Sequence, residues 1–471
     1  MHNTKIVATL GPAFNNRRII RELFEAGVDV VRLNFSHGTR EEHGKIIELV
    51  REVEKESGKT VGIMMDTRGP EIRTGRIKEE SVELQAGDSF TLTTCDINGD
   101  CSQISVSYKG LPGDLTAGSR LLIDDGLLEL RVKEIVDDQI HCKVITGGIL
   151  SSSKGINIPG TSLDLPAITE KDSKDIEFGL KKGIDFIAVS FVRKAADILA
   201  IRKLIREENN GKAYIIAKIE NQEGVNNIGE ILEVADGIMI ARGDLGVEIP
   251  PEKVPVIQKN LIRKCNQKAK PVITATQMLE SMIRNPRPTR AEASDVANAI
   301  YDGSDAIMLS GETAAGIYPV QAVKTMVQIA EEIEASDSYQ EKARSIKTPV
   351  AKTITEAISS ASCKTAMDLN AHCIITATTS GYTARMVSKH RPMLPVIGAT
   401  HSSDVKHFLS LVWGVYPLQV AESKNTDEMI DNSISAALEQ AIIQRGELVI
   451  ITAGVPVSMS GATNLIEVLE I

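Results

Sequence analysis

The sequence has few aromatic residues and no paired-cysteine motif. Phe, Trp and Tyr make up 3% of the 471 residues, and Trp413 is the only tryptophan. A chain this poor in aromatic side chains offers few surfaces on which nucleic-acid bases could stack. The six cysteines form no CxxC pair, so they indicate reduced thiols rather than disulfides or a zinc site.

Long hydrophobic runs and an excess of positive charge are also missing. No apolar run reaches the roughly 18 residues that cross a membrane, and residues 1–5 lead into a strand rather than a signal peptide. The net charge of −10 is opposite to that of general nucleic-acid-binding proteins. We therefore expect no membrane partner, no nucleic-acid partner and a cytoplasmic location. A locally basic pocket for phosphate stays compatible with this composition.

The two common nucleotide-binding motifs do not occur. The sequence contains neither a Gly-x4-Gly-Lys-Ser/Thr loop nor a GxGxxG run that follows a strand. A nucleotide would therefore be held by dispersed basic groups and a metal ion. Lys154, in a serine-rich stretch, is one candidate, and its alternative is an ordinary solvated loop lysine.

What the sequence does contain is a regular alternation of apolar strands and helices, which is typical of an α/β fold. Outside residues 69–166, eight apolar runs are each followed by helical sequence. Eight such units are the count of one closed (β/α)8 TIM barrel. We expect residues 1–68 and 167–340 to form this barrel in two parts.

Two further domains are predicted. Residues 69–166 have almost no helical periodicity and contain short alternating runs, which predicts an inserted all-β lid domain beside the barrel mouth. Residues 335–349 are charged and polar and predict a linker. Residues 341–471 then predict a C-terminal α/β regulatory domain.

Polar side chains collect at the predicted carboxyl ends of the barrel strands. These ends meet at one rim of a TIM barrel, and active sites lie at that rim. We therefore expect the chemistry there. The residues concerned are Arg32, Asn34, Ser36, Asp66, Thr67, Lys218, Glu220, Arg242, Asp244, Thr276 and Ser310.

Lys218 and Glu220 are the centre of this prediction. Side chains two apart in a strand share a face, so the two should lie side by side; a solvated ion pair is the simpler interpretation. Glu220 and Asp244 end successive strands and could share one Mg²⁺ ion, which prefers oxygen ligands. Capping of the helices that follow would be another use for these carboxylates.

Cations and neutral oxygens complete the rim. Arg32, Arg73 and Lys218 could face a phosphate, although Arg32 could instead form a structural bridge with Asp66. Four oxygen-bearing residues with a net charge of only −1 fit a monovalent cation, or else a plain hydrogen-bond network. They are Asn34, Ser36, Asp66 and Thr67.

In the last domain, hydroxyl residues follow a strand and precede a helix. Such a stretch can bind phosphate or can simply cap the helix. The hydroxyl residues of this stretch that could contact a ligand are Thr378, Thr379, Ser380 and Thr383.

Several long motifs together resemble the pyruvate kinase family, over the whole chain and in the same domain order. The resemblance is strongest in Arg32-Leu-Asn-Phe-Ser-His-Gly38, Asp66-Thr-Arg-Gly-Pro-Glu-Ile-Arg73, Lys218-Ile-Glu-Asn221, Ala241-Arg-Gly-Asp-Leu-Gly246, Ala275-Thr-Gln-Met-Leu-Glu-Ser281, Pro286-Arg-Pro-Thr-Arg-Ala-Glu292 and Met308-Leu-Ser-Gly-Glu-Thr313. It implies phosphoryl transfer from phosphoenolpyruvate to ADP, with Mg²⁺ (or Mn²⁺) and K⁺ as cofactors, in a homotetramer.

The resemblance also implies a role for each matching residue. Catalysis would involve Lys218, Arg32, Thr276 and Ser310, the last two as candidates in protonation of the enolate. Phosphoenolpyruvate would contact Arg32, Lys218, Gly243, Asp244 and Thr276. Mg²⁺ would bind Glu220 and Asp244, and K⁺ would bind Asn34, Ser36, Asp66 and Thr67. The nucleotide would contact Asn34, His37, Arg73 and Lys154.

Some positions depart from the family pattern or discriminate within it. Members that dispense with K⁺ carry Lys at the position of Glu71, so the glutamate implies K⁺ dependence. Arg68 stands where the family often has Lys. The loop at 453–463 lacks the basic residues expected to clasp a sugar bisphosphate, so a sugar-phosphate or nucleotide effector is expected without a definite identity. The further C-terminal domain of some bacterial relatives is not expected.

Two rival functions remain at this point. A Mg²⁺-dependent aldolase or lyase acting on a pyruvate enolate would share the metal carboxylates, but it would not need Lys154, Arg73 or a lid that closes on a nucleotide. A non-catalytic metabolite sensor would need only the pocket of the last domain, and the intact Lys218, Glu220 and Asp244 argue against it.

Overall fold

A closed barrel of eight parallel strands forms the centre of the described chain. The computed structural model describes residues 2–11, 16–161, 163–208, 211–345, 351–456 and 462–471. The first elements are β1 (Lys5–Thr9), α1 (Arg17–Ala26), β2 (Val30–Asn34), α2 (Arg40–Ser57) and β3 (Gly62–Asp66). β1 and β3 are buried throughout, and β2 is buried except at Arg32 and Asn34, as expected for a parallel sheet covered by helices.

After β3 the chain leaves the barrel for an all-β region at residues 69–166, which we call the lid. Its elements are β4 (Ser81–Leu84), β5 (Ser89–Thr93), β6 (Gln103–Ser105), α3 (Leu111–Asp114), β7 (Arg120–Ile123), β8 (Leu128–Val136), β9 (Gln139–Thr146), β10 (Gly148–Ser151) and β11 (Ile156–Asn157). Six of the strands form one sheet, in the order β11-β7-β8-β9-β5-β6. A separate apolar core lies within the lid.

The barrel then resumes and closes. Its remaining elements are α4 (Glu170–Lys182), β12 (Phe186–Val189), α5 (Ala195–Glu207), β13 (Tyr214–Ile219), α6 (Gln222–Asn226), α7 (Ile228–Val234), β14 (Gly237–Ala241), α8 (Arg242–Glu248), α9 (Val254–Gln267), β15 (Val272–Ala275), α10 (Arg290–Asp302), β16 (Ala306–Leu309), α11 (Gly311–Ala314), α12 (Pro319–Ala335) and α13 (Asp337–Ser345). The strand order β1-β16-β15-β14-β13-β12-β3-β2 returns to β1. The predicted TIM barrel is therefore confirmed.

Local sequence signals fix where several of these helices begin and end. Thr39, Thr169 and Thr289 each cap a helix reciprocally with an acidic residue three positions later, the arrangement known as a capping box. Gly183 ends α4 at φ 77°, a left-handed conformation that glycine adopts without steric cost. Fixed helix ends return the chain to the same end of the barrel for each new strand.

The C-terminal unit packs against the amino end of the barrel. It contains α14 (Ile354–Asp368), β17 (Cys373–Ala377), α15 (Tyr382–Ser388), β18 (Val396–Thr400), α16 (Ser403–Leu409), β19 (Val415–Gln419), α17 (Thr426–Glu439), β20 (Leu448–Ala453) and β21 (Leu465–Glu470). Phe408 stacks on Tyr214 with ring centroids 4.1 Å apart, and Tyr214 is the first residue of β13. The opposite, carboxyl rim is therefore left to the lid.

Two details differ from the sequence prediction. The segment expected as a linker begins with the helix α13, and its residues 346–350 lie outside the described chain. Residues 82–94, one of the short alternating runs expected in the lid, form two strands and not one, β4 and β5, because a turn around Gly87 separates them. Across the described ranges, no helix is both long and apolar enough to span a bilayer.

Candidate functional site

Lys218 and Glu220 lie together at the carboxyl end of β13, as the strand periodicity predicted. Lys218 Nζ is 2.9 Å from Glu220 Oε1. The alternative of a solvated pair is wrong, because Lys218 is 9% exposed and Glu220 is 1% exposed. A buried ion pair is retained only where further hydrogen bonds satisfy its remaining groups, and such partners surround both residues.

Asp66 joins this pair from two strands away. Its Oδ1 lies 3.1 Å from Lys218 Nζ, and its Oδ2 lies 2.6 Å from Arg32 Nε. Arg32 also donates to the Thr9 hydroxyl at 3.0 Å. The predicted bridge between Arg32 and Asp66 is thus present. Arg32 neutralises Asp66, and Asp66 connects the arginine to Lys218.

The charges in this network hold one another in fixed states. Burial disfavours ionisation of Asp66, but Arg32 and Lys218 outweigh it and keep the pKa of Asp66 below its usual range. Burial likewise opposes the charge on Lys218, but Asp66 and Glu220 outweigh it and raise the pKa of the ammonium group. Lys218 therefore remains a cation and is unsuited to act as a proton donor near neutral pH.

Ser190 and Phe191 are site residues that the sequence prediction missed. The Ser190 hydroxyl accepts a hydrogen bond from Lys218 Nζ at 2.7 Å and donates to the Thr67 carbonyl at 2.7 Å. Phe191 has a left-handed backbone, φ 56°, and its N–H donates to Glu220 Oε2 at 2.6 Å. The apolar run at residues 185–192 continues past both residues, whereas β12 ends at Val189 and the chain turns here. The signal was the same as elsewhere: a polar residue directly after an apolar run.

Asp244 provides the second carboxylate near Lys218. It lies in the first turn of α8, directly after β14. Burial raises the pKa of Asp244, an effect that Lys218 opposes and that the charge of Asp125, in the lid, reinforces. Burial also raises the pKa of Glu220 to about 7, opposed by Lys218 and reinforced by Asp244. Three carboxylates thus compete for one lysine.

The helix-capping alternative for these carboxylates is wrong for Glu220. Asn221, one residue later, accepts from the Gly224 N–H and caps α6. Asp244 is inside α8 and does not occupy its cap position, although an acidic side chain in a first helical turn is favourable. Glu220 is therefore free of any helix-capping task.

A divalent cation fits Glu220 and Asp244 by the chemistry of the donors. Both are buried carboxylates whose ionisation is disfavoured by burial and by neighbouring negative charge, and a cation would relieve this. Within the described residues, no group of three or more His, Cys, Asp or Glu side chains is arranged to hold a metal. Substrate and water oxygens would have to complete the coordination, as is usual for Mg²⁺.

Thr276 and Gly243 are brought together at the next strand end. The Thr276 hydroxyl accepts from the Gly243 N–H at 2.8 Å and donates to the Ala275 carbonyl at 2.6 Å. Thr276 and Gln277 are both left-handed, with φ 68° and 54°. The side chain of Arg242 donates to the Thr276 carbonyl at 2.8 Å and holds this unfavourable turn in place.

Ser310 lies after β16 with its hydroxyl buried. Among the described residues the hydroxyl has no hydrogen-bond partner, while the Ser310 N–H donates to Glu312 Oε2 at 2.7 Å. Buried hydroxyls are normally paired. The unused donor of Ser310 is therefore available to a substrate or water molecule.

The four residues predicted for a monovalent cation lie at the ends of the neighbouring strands β2 and β3 or just after them, and they make separate hydrogen bonds. Asn34 and Asp66 are opposite each other in the β2–β3 register. Asn34 Oδ1 accepts from the Ser36 N–H at 3.1 Å, and Thr67 Oγ1 accepts from the Ser190 N–H at 3.2 Å. Local hydrogen bonds therefore account for part of the alternative, and the monovalent-cation site stays a prediction.

Of the residues predicted to contact a nucleotide, Arg73 and Lys154 belong to the lid and are partly exposed. Arg73 pairs with Glu71 at 2.8 Å and donates to the Ser153 carbonyl at 2.7 Å. Lys154 is not simply solvated, since its Nζ is 2.9 Å from Asp124 Oδ1. The side chain of His37 is exposed on the β2–α2 loop. None of the three contacts Lys218 directly.

A cleft separates the lid from the barrel rim. A cavity of about 270 Å³ is bordered by Glu71 and Gly155 on one side and by Phe191 and Asp244 on the other. The lid also touches the barrel where Asn157 donates to Glu248 Oε1 at 3.0 Å. A ligand in the cleft would contact both parts of the chain.

The hydroxyl stretch of the C-terminal unit borders a second cavity, of about 450 Å³. The predicted residues Thr378, Thr379, Ser380 and Thr383 all line it. Helix capping is wrong as their role, because Gly381 occupies the cap of α15 and no side chain caps it. Thr383 is already paired with Thr463 at 3.0 Å. In the loop at 453–463, residues 457–461 lie outside the described chain.

Comparisons with known proteins agree with this geometry. The sequence model of the pyruvate kinase barrel domain matches residues 1–323, and that of the pyruvate kinase alpha/beta domain matches residues 356–469. The chain is 52% identical to a pyruvate kinase of Sporosarcina psychrophila and 50% identical to one of Staphylococcus aureus, covering 99% of this chain and 80% of each relative. A crystal structure of a pyruvate kinase from Cryptosporidium parvum superposes with a TM-score of 0.93 at 43% identity, covering 100% of this chain and 96% of that one.

Proposed function

Because the chain belongs to the pyruvate kinase family, we propose that the rim around Lys218 carries out the transfer of a phosphoryl group from phosphoenolpyruvate to ADP. The observation that supports this assignment is a buried ammonium group held by Asp66, Glu220 and Ser190 within reach of the charge of Asp244. Phosphoryl transfer has a loose transition state, so charge and position supply most of the catalysis.

In this proposal, Lys218 stabilises the charge on the migrating phosphoryl group. Its proton is held firmly, so the lysine acts as a fixed positive charge, which is most effective in a buried site. Arg32 suits the phosphate of phosphoenolpyruvate, because its guanidinium can donate two parallel hydrogen bonds. Before the substrate binds, both cations are paired with Asp66. They would turn from this carboxylate to the phosphate when the substrate enters.

A divalent cation, Mg²⁺ or Mn²⁺, would be held by Glu220 and Asp244, where it would offset negative charge on phosphate and enolate oxygens. Gly243 and Thr276 would contact phosphoenolpyruvate. Thr276 and Ser310 are the proposed hydroxyls for protonation of the enolate, and the Ser310 hydroxyl has no partner among the described residues. Asn34, His37, Arg73 and Lys154 would contact ADP from the lid side of the cleft.

The decisive experiment is a coupled assay for pyruvate made from phosphoenolpyruvate. Pyruvate should form only when ADP and Mg²⁺ are both present, and K⁺ should increase the rate. The rival reading of an aldolase or lyase, which the family membership does not favour, requires no ADP. Pyruvate release without ADP would contradict the proposed reaction.

The K⁺ site is tested at Glu71. This carboxylate neutralises Arg73 at 2.8 Å and lies 3.8 Å from Arg68. We expect Glu71→Lys to reduce the K⁺ requirement, because a fixed ammonium group would supply a positive charge near the site otherwise completed by the ion. The measurement is the ratio of kcat with K⁺ to kcat in a bulky organic cation.

Glu71→Gln is the matched control, because it removes the carboxylate and adds no positive charge. It should retain the full K⁺ requirement. An unchanged ratio in Glu71→Lys would argue against the site at Asn34, Ser36, Asp66 and Thr67.

The C-terminal cavity is proposed to bind an anionic effector, a sugar phosphate or a nucleotide. The hydroxyls of Thr378, Thr379 and Ser380 border it together with Lys424 and His401. We expect at least one of AMP, ribose 5-phosphate and fructose 1,6-bisphosphate to lower the KM for phosphoenolpyruvate. A flat response of the assay to all three would remove this proposal.

A homotetrameric assembly and a cytoplasmic location are proposed on the family resemblance. Light scattering after gel filtration would test the first, with the mass of four chains as the expected result. Cell fractionation would test the second.

A further inference from the structure

Four basic side chains border a small cavity where the C-terminal unit meets the amino end of the barrel. They are Lys270 of the barrel, in the turn between α9 and β15, and Arg385, Lys389 and Arg391 of the C-terminal unit. Lys389 is paired with Glu356 at 3.1 Å. Arg391 is paired at 3.2 Å with Asp305, which also borders the cavity. The other two basic groups leave a surplus of positive charge at this junction.

Lys270 and Arg385 form no ion pair with a carboxylate in the part of the chain that the structure describes. Each donates instead to a main-chain carbonyl group of the barrel, at 2.6 and 2.9 Å. The charge of Asp236 reaches both, but Asp236 is already paired with Arg202 at 3.0 Å. Burial lowers the pKa of both basic groups, and the charge of Arg385 lowers that of Lys270 further. One cation on each side of the junction is therefore without a counterion of its own.

Arg391 and Arg385 also have nitrogen atoms that donate to nothing. Arg391 is 6% exposed, and its hydrogen bonds, to the Gly303 carbonyl at 2.7 Å and to Asn266 Oδ1 at 3.1 Å, both start from Nη2. Among the described residues, Nε and Nη1 of Arg391 and Nε of Arg385 are buried without a partner. Buried donors are normally satisfied, so unpaired ones indicate an ordered water molecule or a bound ion.

The size of the cavity limits what it can hold. Its volume is about 10 Å³, which is room for one particle of the size of a water molecule. A phosphate group or an organic acid would be too large. A water molecule would satisfy a donor but leave the surplus charge, whereas buried charges are normally paired. A monatomic anion would do both.

We propose that this cavity binds a monatomic anion, with chloride as the ion of fitting size and charge. The ion bridges Lys270 of the barrel to Arg385 and Arg391 of the C-terminal unit. It offsets the repulsion across the junction and so fastens the two units together. The junction lies at the amino end of the barrel, opposite the rim around Lys218, and the ion takes no part in the proposed reaction.

Diffraction from crystals of the full chain tests the site directly. Bromide takes the place of chloride and scatters anomalously near its absorption edge. Crystals transferred to millimolar bromide should show an anomalous peak in the cavity, within hydrogen-bond distance of Arg385 and Arg391. Water density without an anomalous signal would overturn the proposal.

The thermal midpoint tests the site in solution. A ligand that binds only the folded state stabilises it in proportion to the logarithm of its concentration once the site fills. Chloride should raise the midpoint by about 2 °C over methanesulfonate at equal ionic strength, the shift of a modest stabilisation in a large chain. Methanesulfonate is too large for the cavity. No difference between the two salts would mean an adventitious ion only, even with a bromide peak, and would overturn the proposal.

Arg385→Met removes one of the proposed ligands and keeps the length of the side chain. The difference between the two salts should vanish in this variant. Were Arg385 merely structural, Arg385→Met would lower the midpoint equally in both salts and keep the chloride effect, which would also overturn the proposal.

Arg51→Met is the matched control. Arg51 is another largely buried arginine at the amino end of the barrel, but it is paired with Glu54 at 2.9 Å and with Asp185 at 2.6 Å. This variant should lower the midpoint equally in both salts and keep the chloride effect. Loss of the chloride effect in both variants would show a general response to lost positive charge and would count against the site.

Discussion

Lys218→Met is expected to lower kcat by at least about 10³-fold while phosphoenolpyruvate and Mg²⁺ still bind. Removal of one neutral hydrogen-bond donor from a developing anion already slows an enzyme by about 10²–10³-fold, and Lys218 carries a full charge in a buried site. Its contribution is largest in the transition state, so kcat should fall far more than binding. Steady-state kinetics and equilibrium binding measure the two effects separately.

The same substitution is also expected to destabilise the protein. It leaves Asp66 and Glu220 buried without their shared cation, and removal of one partner of a buried pair costs about 3–5 kcal/mol. Lys5→Met is the matched control, because Lys5 is also buried on a barrel strand and pairs with Asp29 at 3.6 Å. It lies at the opposite end of the barrel, so it should lower the thermal midpoint and leave kcat within about twofold. Near-normal kcat in Lys218→Met would refute the assigned role.

Glu220→Gln is expected to weaken Mg²⁺ binding at least roughly tenfold, the loss seen even for residues that only support metal ligands. The amide keeps an oxygen that can accept from the Phe191 N–H, so the turn after β12 should persist. It loses the negative charge that a hard cation requires. The readouts are the Mg²⁺ Kd by calorimetry and the Mg²⁺ dependence of kcat.

Glu334→Gln controls for the removal of a buried carboxylate. Glu334 accepts from the N–H groups of Asn3 and Thr4 at 2.7 Å, at the other end of the barrel. We expect this variant to lose stability and to keep its Mg²⁺ affinity. Equal Mg²⁺ affinity in Glu220→Gln and the unaltered chain would exclude Glu220 as a ligand.

These effects share one physical origin, a buried set of cations and carboxylates that pair with one another in the absence of substrate. Arg32 and Lys218 both pair with Asp66, and Lys218 also pairs with Glu220. An anionic substrate would replace the carboxylates as partner of Arg32 and Lys218. A divalent cation would replace Lys218 as partner of Glu220. The ion pairs thus keep Asp66 and Lys218 charged before substrate binds, whereas Glu220 and Asp244 would gain full charge with a cation bound.

Much of this could be predicted along the chain, where one residue constrains its near neighbours. The alternation of strands and helices gave the eight barrel units, and the two-residue period of a strand put Lys218 and Glu220 on one face. Polar residues directly after apolar runs located the rim. These features depend on short-range geometry, which the sequence expresses directly.

Other features depend on chain segments that meet only after the barrel closes. Asp66 on β3 reaches Lys218 on β13 because β12 lies between those strands and supplies Ser190 as the bridge. The left-handed turns at Phe191 and Thr276 direct an N–H and a hydroxyl in ways that residue type does not indicate. Asp125 of the lid and Asp244 of the barrel border one cavity only because the lid folds back over the rim. The sequence by itself determined which groups stand at the strand ends. Tertiary structure decided which of them are buried together and which stay ionised, because burial and long-range pairing shift their pKa values.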